Sequence, residues 1–318
     1  MHSLQHIPTL FDIEQTHEAI ANMVHRTPVM TCSSLDEISK AKLFFKCENF
    51  QKVGAFKMRG ASSAALRLSP EARKNGIATH SSGNHAQAVA LSAKLLGVPA
   101  YVVMPENAPA IKVAGVRSYG AEIIFCAPNI AARESTLEEV VARTGAHFIH
   151  PYNNYDVIAG QATAGKELLE AVHHLDAVIA PVGGGGLMSG TALITRYLSQ
   201  GTKVYGAEPQ AVDDAHRSMR SGKIEVNAST NTIADGLRTN LGEKTFEIIR
   251  ERVDDVLAVS EDAIVAAMRL VWERMKIIIE PSAAVPFAAV LHAPELFAGK
   301  RVGIIFSGGN VDLDALPF

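Results

Sequence analysis

Short apolar runs alternate with amphipathic stretches along nearly the whole chain. Residues 10–25 set Ile13, Ile20 and Val24 roughly on one face, which predicts a first helix, and Thr27-Pro28 breaks it. Residues 43–47 read as a strand and 59–68 as a helix. Residues 77–80 form a short strand running into Ser81-Ser82-Gly83-Asn84, and a helix follows to about residue 96, stopped by Gly97. From there strand and helix alternate, with strands at 100–104, 122–125 and 147–149 and helices at about 109–119, 131–143 and 158–172. Residues 176–181 are almost continuously apolar, as in a strand buried on both faces of a parallel sheet. They enter Gly183-Gly184-Gly185-Gly186 and a helix to about residue 198. A strand at 204–207, a helix at 261–275 and a last strand at 302–306, before Ser307-Gly308-Gly309-Asn310, complete the pattern.

Such alternation predicts an α/β protein built on parallel sheet. Two compact lobes are expected: a small one over 70–148, and a larger one made of 1–69 and 149–318. Ligands in sheets of this kind sit beyond the carboxyl ends of strands. The loops at 81–84, 183–186 and 307–310 all follow strands, so one crevice can collect them.

Composition narrows the class. The 318 residues are 47% hydrophobic and 20% charged, enough to bury a sizeable core and unlike a disordered chain. Lys and Arg number 30 against 33 Asp and Glu, a net charge of −3 without a basic stripe, which argues against a nucleic-acid partner. Cys32, Cys47 and Cys126 are few and widely spaced, which suits a reducing, cytoplasmic setting. No basic-then-apolar leader is visible, and no apolar run is long enough to span a bilayer.

The candidate chemistry starts at Gly54-Ala55-Phe56-Lys57-Met58-Arg59-Gly60. A lysine is ordinarily a solvated charge. Held in a tight, partly apolar turn, it can be depressed in pKa and form a Schiff base with an aldehyde. Four consecutive glycines between a strand and a helix let backbone N–H groups approach an anion, with phosphate the natural guest. The spacing is neither GxGxxG nor GxxxxGK[ST], which weighs against dinucleotide binding and nucleotide hydrolysis. Ser81-Ser82-Gly83-Asn84 reads by itself as a helix N-cap, and beside a phosphate cradle as a carboxylate-binding loop. Ser307-Gly308-Gly309-Asn310 is a plain turn or a third site loop. Glu208, Asp214 and a nearby carbonyl are hard oxygen ligands suited to Mg²⁺, Mn²⁺ or Ca²⁺, although spacing alone favours acids at a helix start. No HExxH or GxSxG motif occurs.

Together these motifs resemble the fold-type-II pyridoxal-phosphate enzymes, in particular the serine racemase and serine/threonine dehydratase group. The resemblance runs from Thr27-Pro28-Val29 through the lysine and serine loops, Ile158-Ala159-Gly160-Gln161 and Pro181-Val182 with the four glycines, to Glu280-Pro281-Ser282 and Ser307-Gly308-Gly309-Asn310-Val311-Asp312. It implies a two-lobed, tryptophan synthase β-like fold with the cofactor in the cleft. It implies Lys57 as the residue that carries the cofactor and acts as base, with Phe56 against the ring. Gly183, Gly184, Gly185, Gly186 and Leu187 would hold the phosphate, Asn84 the ring hydroxyl and Ser307 the pyridine nitrogen. Ser81, Ser82, Asn84 and His85 would bind the substrate carboxylate, and Arg133 and Thr239 would face its distal end. Glu208, Asp214 and the Val212 carbonyl match the group's divalent-cation site.

Ser82 stands where racemase-like members carry the acid opposite the lysine, whereas many threonine dehydratases carry alanine there. The expected activity is therefore racemisation, α,β-elimination, or both, on β-hydroxy amino acids such as serine. The alternatives are a threonine dehydratase, a threo-3-hydroxyaspartate ammonia-lyase, a cysteine-synthase-type enzyme, and a cofactor-binding protein without turnover. A homodimer acting on a small amino acid is expected from the same resemblance.

Overall fold

The computed structural model describes residues 2–108 and 110–318. Among the described residues ten strands form two sheets: β1 (Val29–Met30), β2 (Lys42–Cys47), β3 (Ile77–His80), β4 (Ala100–Pro105), β5 (Glu122–Cys126), β6 (His147–Phe148), β7 (Ala177–Pro181), β8 (Lys203–Pro209), β9 (Asp255–Val259) and β10 (Arg301–Phe306). The six-stranded sheet has the order β1-β2-β10-β7-β8-β9, and the four-stranded sheet the order β5-β4-β3-β6. Every pairing is parallel except that of β1 with β2. The α/β class and parallel sheets expected from the alternation are what the chain forms.

This strand order assembles the site. β2, β10 and β7 are consecutive neighbours in the larger sheet and run in the same direction. The lysine turn follows β2, Ser307 follows β10 and the glycines follow β7, so three loops distant in sequence leave one edge side by side. The serine loop leaves β3, an inner strand of the smaller sheet. Packing behind β10 is aromatic: Phe45 stacks on Phe306 at 4.7 Å and meets Phe287 edge-on at 5.8 Å. Two helices, Lys57–Arg67 and Tyr155–Ala171, cross with almost no space between backbones. A Cβ on Gly160 would lie 2.5 Å from the Arg59 carbonyl, and one on Gly60 only 2.3 Å from Gln161 Nε2.

Several boundaries differ from the pattern's expectations. The first helix ends at Ile20, not near residue 25, because residues 21–24 form turns. The helix after the lysine begins at Lys57 itself rather than at Arg59. The expected helix over 109–119 is described as Ala110–Ser118, and Pro109 lies outside the described residues. The pattern also passed over Ser33–Ser39, Glu243–Arg252, β9 and the Pro281–His292 helix.

Candidate functional site

Lys57 is the first residue of its helix, and a strained approach delivers it there. Val53 adopts φ +58° and Gly54 φ +69°, a region costly for a β-branched residue and open to glycine. A Cβ on Gly54 would meet Asn310 Oδ1 at 2.6 Å. The turn is tied to the loop after β10 by Phe56 N–H donating to the Ser307 carbonyl (2.9 Å) and Gly309 N–H donating to the Gly54 carbonyl (2.9 Å). Lys57 Nζ donates to the Pro151 carbonyl at 2.8 Å and lies 5.2 Å from the centre of the Phe56 ring. Burial lowers its pKa to about 8, against the opposing pull of the Glu280 carboxylate. An amine with that pKa carries a substantial neutral, nucleophilic fraction near neutral pH.

The glycine loop is packed so that side chains are excluded. A Cβ on Gly184 would sit 2.3 Å from the Tyr152 ring, one on Gly183 3.0 Å from the Gly236 carbonyl, and Gly185 has φ +87°. The Gly186–Leu198 helix starts here. Among the described residues, no group accepts a hydrogen bond from the N–H of Gly183, Gly184, Gly185, Gly186 or Leu187, so the loop presents a row of free donors at a helix N-terminus. Beside it, Ser307 Oγ is buried without a hydrogen-bond partner among the described residues.

The serine loop does not act as a side-chain cap. The N-cap of the Asn84–Leu96 helix is Gly83, and no side chain caps it. Ser81 and Ser82 are half-buried, and Ser81 Oγ accepts from Gly83 N–H at 3.3 Å. His85 is buried. Its Nε2 donates to the Ile149 carbonyl at 3.0 Å, which leaves Nδ1 as an unpartnered acceptor among the described residues. Burial first, and then the charge of Lys57, hold His85 well below the ordinary histidine pKa, so it is neutral.

Asn84 is fixed from both ends. Its Nδ2 donates to both Glu280 oxygens (3.1 Å each), and its Oδ1 accepts from Asn310 Nδ2 at 2.8 Å. Asn310 N–H also donates to Glu280 Oε2 at 3.2 Å. Burial raises the Glu280 pKa to about 7, aided by the charge of Asp235 and opposed by the Asn84 and Asn310 donors. Sequence reasoning noted the Glu280-Pro281-Ser282 motif but assigned Glu280 no role. It is the buried acid electrostatically coupled to Lys57.

Two further expected groups make no hydrogen bond to Lys57, Asn84 or Ser307 among the described residues. Arg133 is on the Ile130–Thr144 helix with its Nε buried and unpartnered among the described residues; burial first, and then the Arg133 charge, lower the pKa of His80 at the end of β3, against the pull of Glu134. Thr239 is exposed, and no hydrogen bond of the described residues joins it to the other candidates. Glu208 is the penultimate residue of β8, Val212 is in the turn that follows, and Asp214 opens the next helix. Glu208 accepts from the N–H groups of His216 (2.5 Å) and Ala215 (3.2 Å), and Asp214 from Asn227 Nδ2 (2.6 Å) and Leu241 N–H (2.9 Å). Both carboxylates are buried. Burial, and for Glu208 also the neighbouring Asp214 charge, push their pKa values up to about 9 and about 6.

The family model described as pyridoxal-phosphate dependent enzyme matches residues 20–308. The chain belongs to that family. It is 49% identical over 313 residues to a β-hydroxyaspartate dehydratase of Paracoccus denitrificans, covering 98% of this chain and 99% of the relative. It is 51% identical over 308 residues to an L-threo-3-hydroxyaspartate ammonia-lyase of Saccharomyces cerevisiae, covering 96% and 94%. Among solved structures it is similar to the serine racemase of Dictyostelium discoideum, with a TM-score of 0.92 and 50% identity over 96% of this chain and 99% of that one.

The residues present fit the pyridoxal-phosphate family's cofactor. A depressed, buried amine suits its aldehyde, a row of free N–H groups at a helix start suits its phosphate, and the lone Ser307 Oγ suits a ring nitrogen.

Proposed function

We propose that the chain catalyses proton abstraction at Cα of small β-hydroxy amino acids, followed by loss of the β-hydroxyl to give a keto acid and ammonia, or by reprotonation to the other enantiomer. The observation that carries this reading is the buried Lys57 amine, with its pKa near 8, whose turn leaves the same sheet edge as the glycine loop and Ser307.

Bound pyridoxal phosphate supplies an electron sink for the negative charge that develops at Cα. The protein's own groups do the rest. The N–H groups of Gly183 to Leu187 hold the phosphate, Ser307 the ring nitrogen, and Phe56 and Asn84 the ring. Ser81, Ser82, Asn84 and His85 hold the substrate carboxylate. Lys57 Nζ takes the Cα proton as general base. Ser82 Oγ would exchange a proton on the face opposite Lys57, which is what racemisation needs and elimination does not. A neutral serine opposite the ring nitrogen keeps that nitrogen from gaining full charge.

The unpartnered Arg133 Nε beside His80 supports acceptance of an acidic β-substituent, as in hydroxyaspartate. Thr239 is assigned to the same end of the substrate. Glu208, Asp214 and the Val212 carbonyl are assigned to a divalent cation of the Mg²⁺, Mn²⁺ or Ca²⁺ type, since two adjacent buried carboxylates are relieved by one. Residues 70–148 form the small lobe, and 1–69 with 149–318 the large one. A cytoplasmic homodimer completes the reading; no helix among the described residues is long and apolar enough to cross a membrane.

A substrate panel tests the function: L-serine, D-serine, L-threonine, L-threo-3-hydroxyaspartate and L-aspartate, scored for keto acid and for enantiomer. Conversion of at least one hydroxylated substrate is expected. A protein that binds the cofactor and converts none is a binding protein instead.

A further inference from the structure

Behind the lysine helix lies an ion cluster with no part in the chemistry above. Arg59 is wholly buried. Its Nε donates to Glu48 Oε2 (2.7 Å) and its Nη2 to Glu48 Oε1 (2.8 Å), a two-point fork. Its other edge forks onto a second acid: Nη1 to Glu167 Oε1 and Nη2 to Glu167 Oε2, both 2.8 Å. Nη1 also donates to Thr163 Oγ1 at 3.1 Å. Lys46, equally buried, donates to Glu167 Oε2 (2.5 Å) and to the Thr27 carbonyl (2.7 Å). Two cations and two anions thus sit out of water with their donors directed at named acceptors.

Such a cluster adds little net stability compared with apolar side chains of the same volume, because removing the charges from water offsets their attraction. What it adds is geometry. An arginine gripped at both edges has one allowed position, whereas packed aliphatic groups tolerate sliding. The gripped position matters here. Arg59 and Thr163/Glu167 belong to the two helices that cross at Gly60 and Gly160. Lys57 opens the first of these helices, and its acceptor, the Pro151 carbonyl, lies just before the second. Two residues along a helix turn the side chain by about 200°, so Arg59 is held from the face opposite Lys57.

We propose that Arg59 is a positioning residue for Lys57: its double fork onto Glu48 and Glu167 fixes the register of the two crossing helices, and thereby sets where Lys57 Nζ stands relative to Pro151. This rests on Lys57 being the cofactor-bearing base. Arg59→Lys keeps the charge and loses both forks. Thr163→Val removes one hydrogen bond from the same guanidinium, together with the Thr163 Oγ1 bond to the Gly160 carbonyl (2.7 Å), and leaves both ion pairs intact.

The test combines three readouts on wild type and both variants: kcat against KM in the holoenzyme, the pH dependence of Lys57 acylation in the cofactor-free protein followed by peptide mass, and thermal unfolding. For Arg59→Lys, kcat falls at least tenfold with KM changed less than threefold, and the midpoint of Lys57 acylation moves by half a pH unit or more. Thr163→Val moves both in the same direction by a smaller amount, and stands alone if Arg59→Lys does not fold. A lower melting temperature with kcat and the acylation midpoint unchanged makes the cluster merely structural and overturns the proposal. If borohydride fixes no cofactor on Lys57 in the wild type, the functional reading fails with it, and that result is distinct from a silent variant.

Discussion

At the scale of single residues, the site separates groups by protonation. Lys57 and Glu280 are buried and electrostatically coupled, with pKa values near 8 and near 7. The Glu280 charge holds the Lys57 pKa up against burial. Glu280→Gln removes that charge, so the Lys57 acylation midpoint in the cofactor-free protein moves to lower pH; a midpoint that stays or rises contradicts the coupling. If Ser82 is the acid proposed opposite Lys57, Ser82→Ala lowers racemisation at least tenfold while elimination changes less than threefold. Equal loss of both activities contradicts its role. The lysine turn and the glycine loop stand out in the sequence because each is a short motif with a chemical purpose, and the structure brings their loops to one edge of the larger sheet. Glu280 does not stand out, because its importance comes from burial and from the reach of Asn84 and Asn310, residues about 196 and 30 positions away along the chain.

At the scale of elements, tight crossings set what each position tolerates. Gly160→Ala would put a Cβ 2.5 Å from a backbone carbonyl, which cannot swing aside as a side-chain tip can. The variant loses about 1–3 kcal/mol, measured as a lower urea midpoint with unchanged slope; an unchanged midpoint means that the helices can separate at no cost. Most elements could be read from periodicity, and the strands of the parallel sheets best of all, since their apolar runs are short and bounded by turns. The Pro281–His292 helix could not. It is apolar almost all round, contains Pro286 and is packed against the larger sheet, so no amphipathic signal marks it. Spacing alone favours Asp213 and Asp214 as acids at a helix start, and Asp214 does open the Asp214–Ser221 helix.

At the scale of the whole molecule, the larger sheet supplies three of the site's loops and the smaller sheet the fourth. The larger sheet also carries the proposed cation site on the strand beside the glycine loop. Glu208 and Asp214 have folded pKa values of about 9 and 6, above the ordinary 4.5 and 3.8. A raised carboxyl favours folding while it stays protonated, so that contribution is lost as pH rises through 6 for Asp214 and through 9 for Glu208. In chelator the melting temperature therefore falls between pH 6 and pH 9. A divalent cation takes the place of the protons, so Mg²⁺ raises the melting temperature more at pH 9 than at pH 6, and Asp214→Asn abolishes that difference. A Mg²⁺ effect independent of pH and of Asp214 contradicts the site. The opposite trend holds at the buried Glu167: against the effect of burial, the His17 hydrogen bond and then the Arg59 and Lys46 charges keep it below the usual carboxylate range. Its contribution persists above pH 4.5 and is lost as acid is added.

The account turns on Lys57 as the residue that carries pyridoxal phosphate. Purified protein reconstituted with the cofactor, reduced with borohydride and digested with trypsin tests this directly. The account predicts a yellow protein with the reduced cofactor's mass on the peptide containing Lys57, and no such mass after Lys57→Ala. A colourless protein, or the added mass on another lysine, contradicts it.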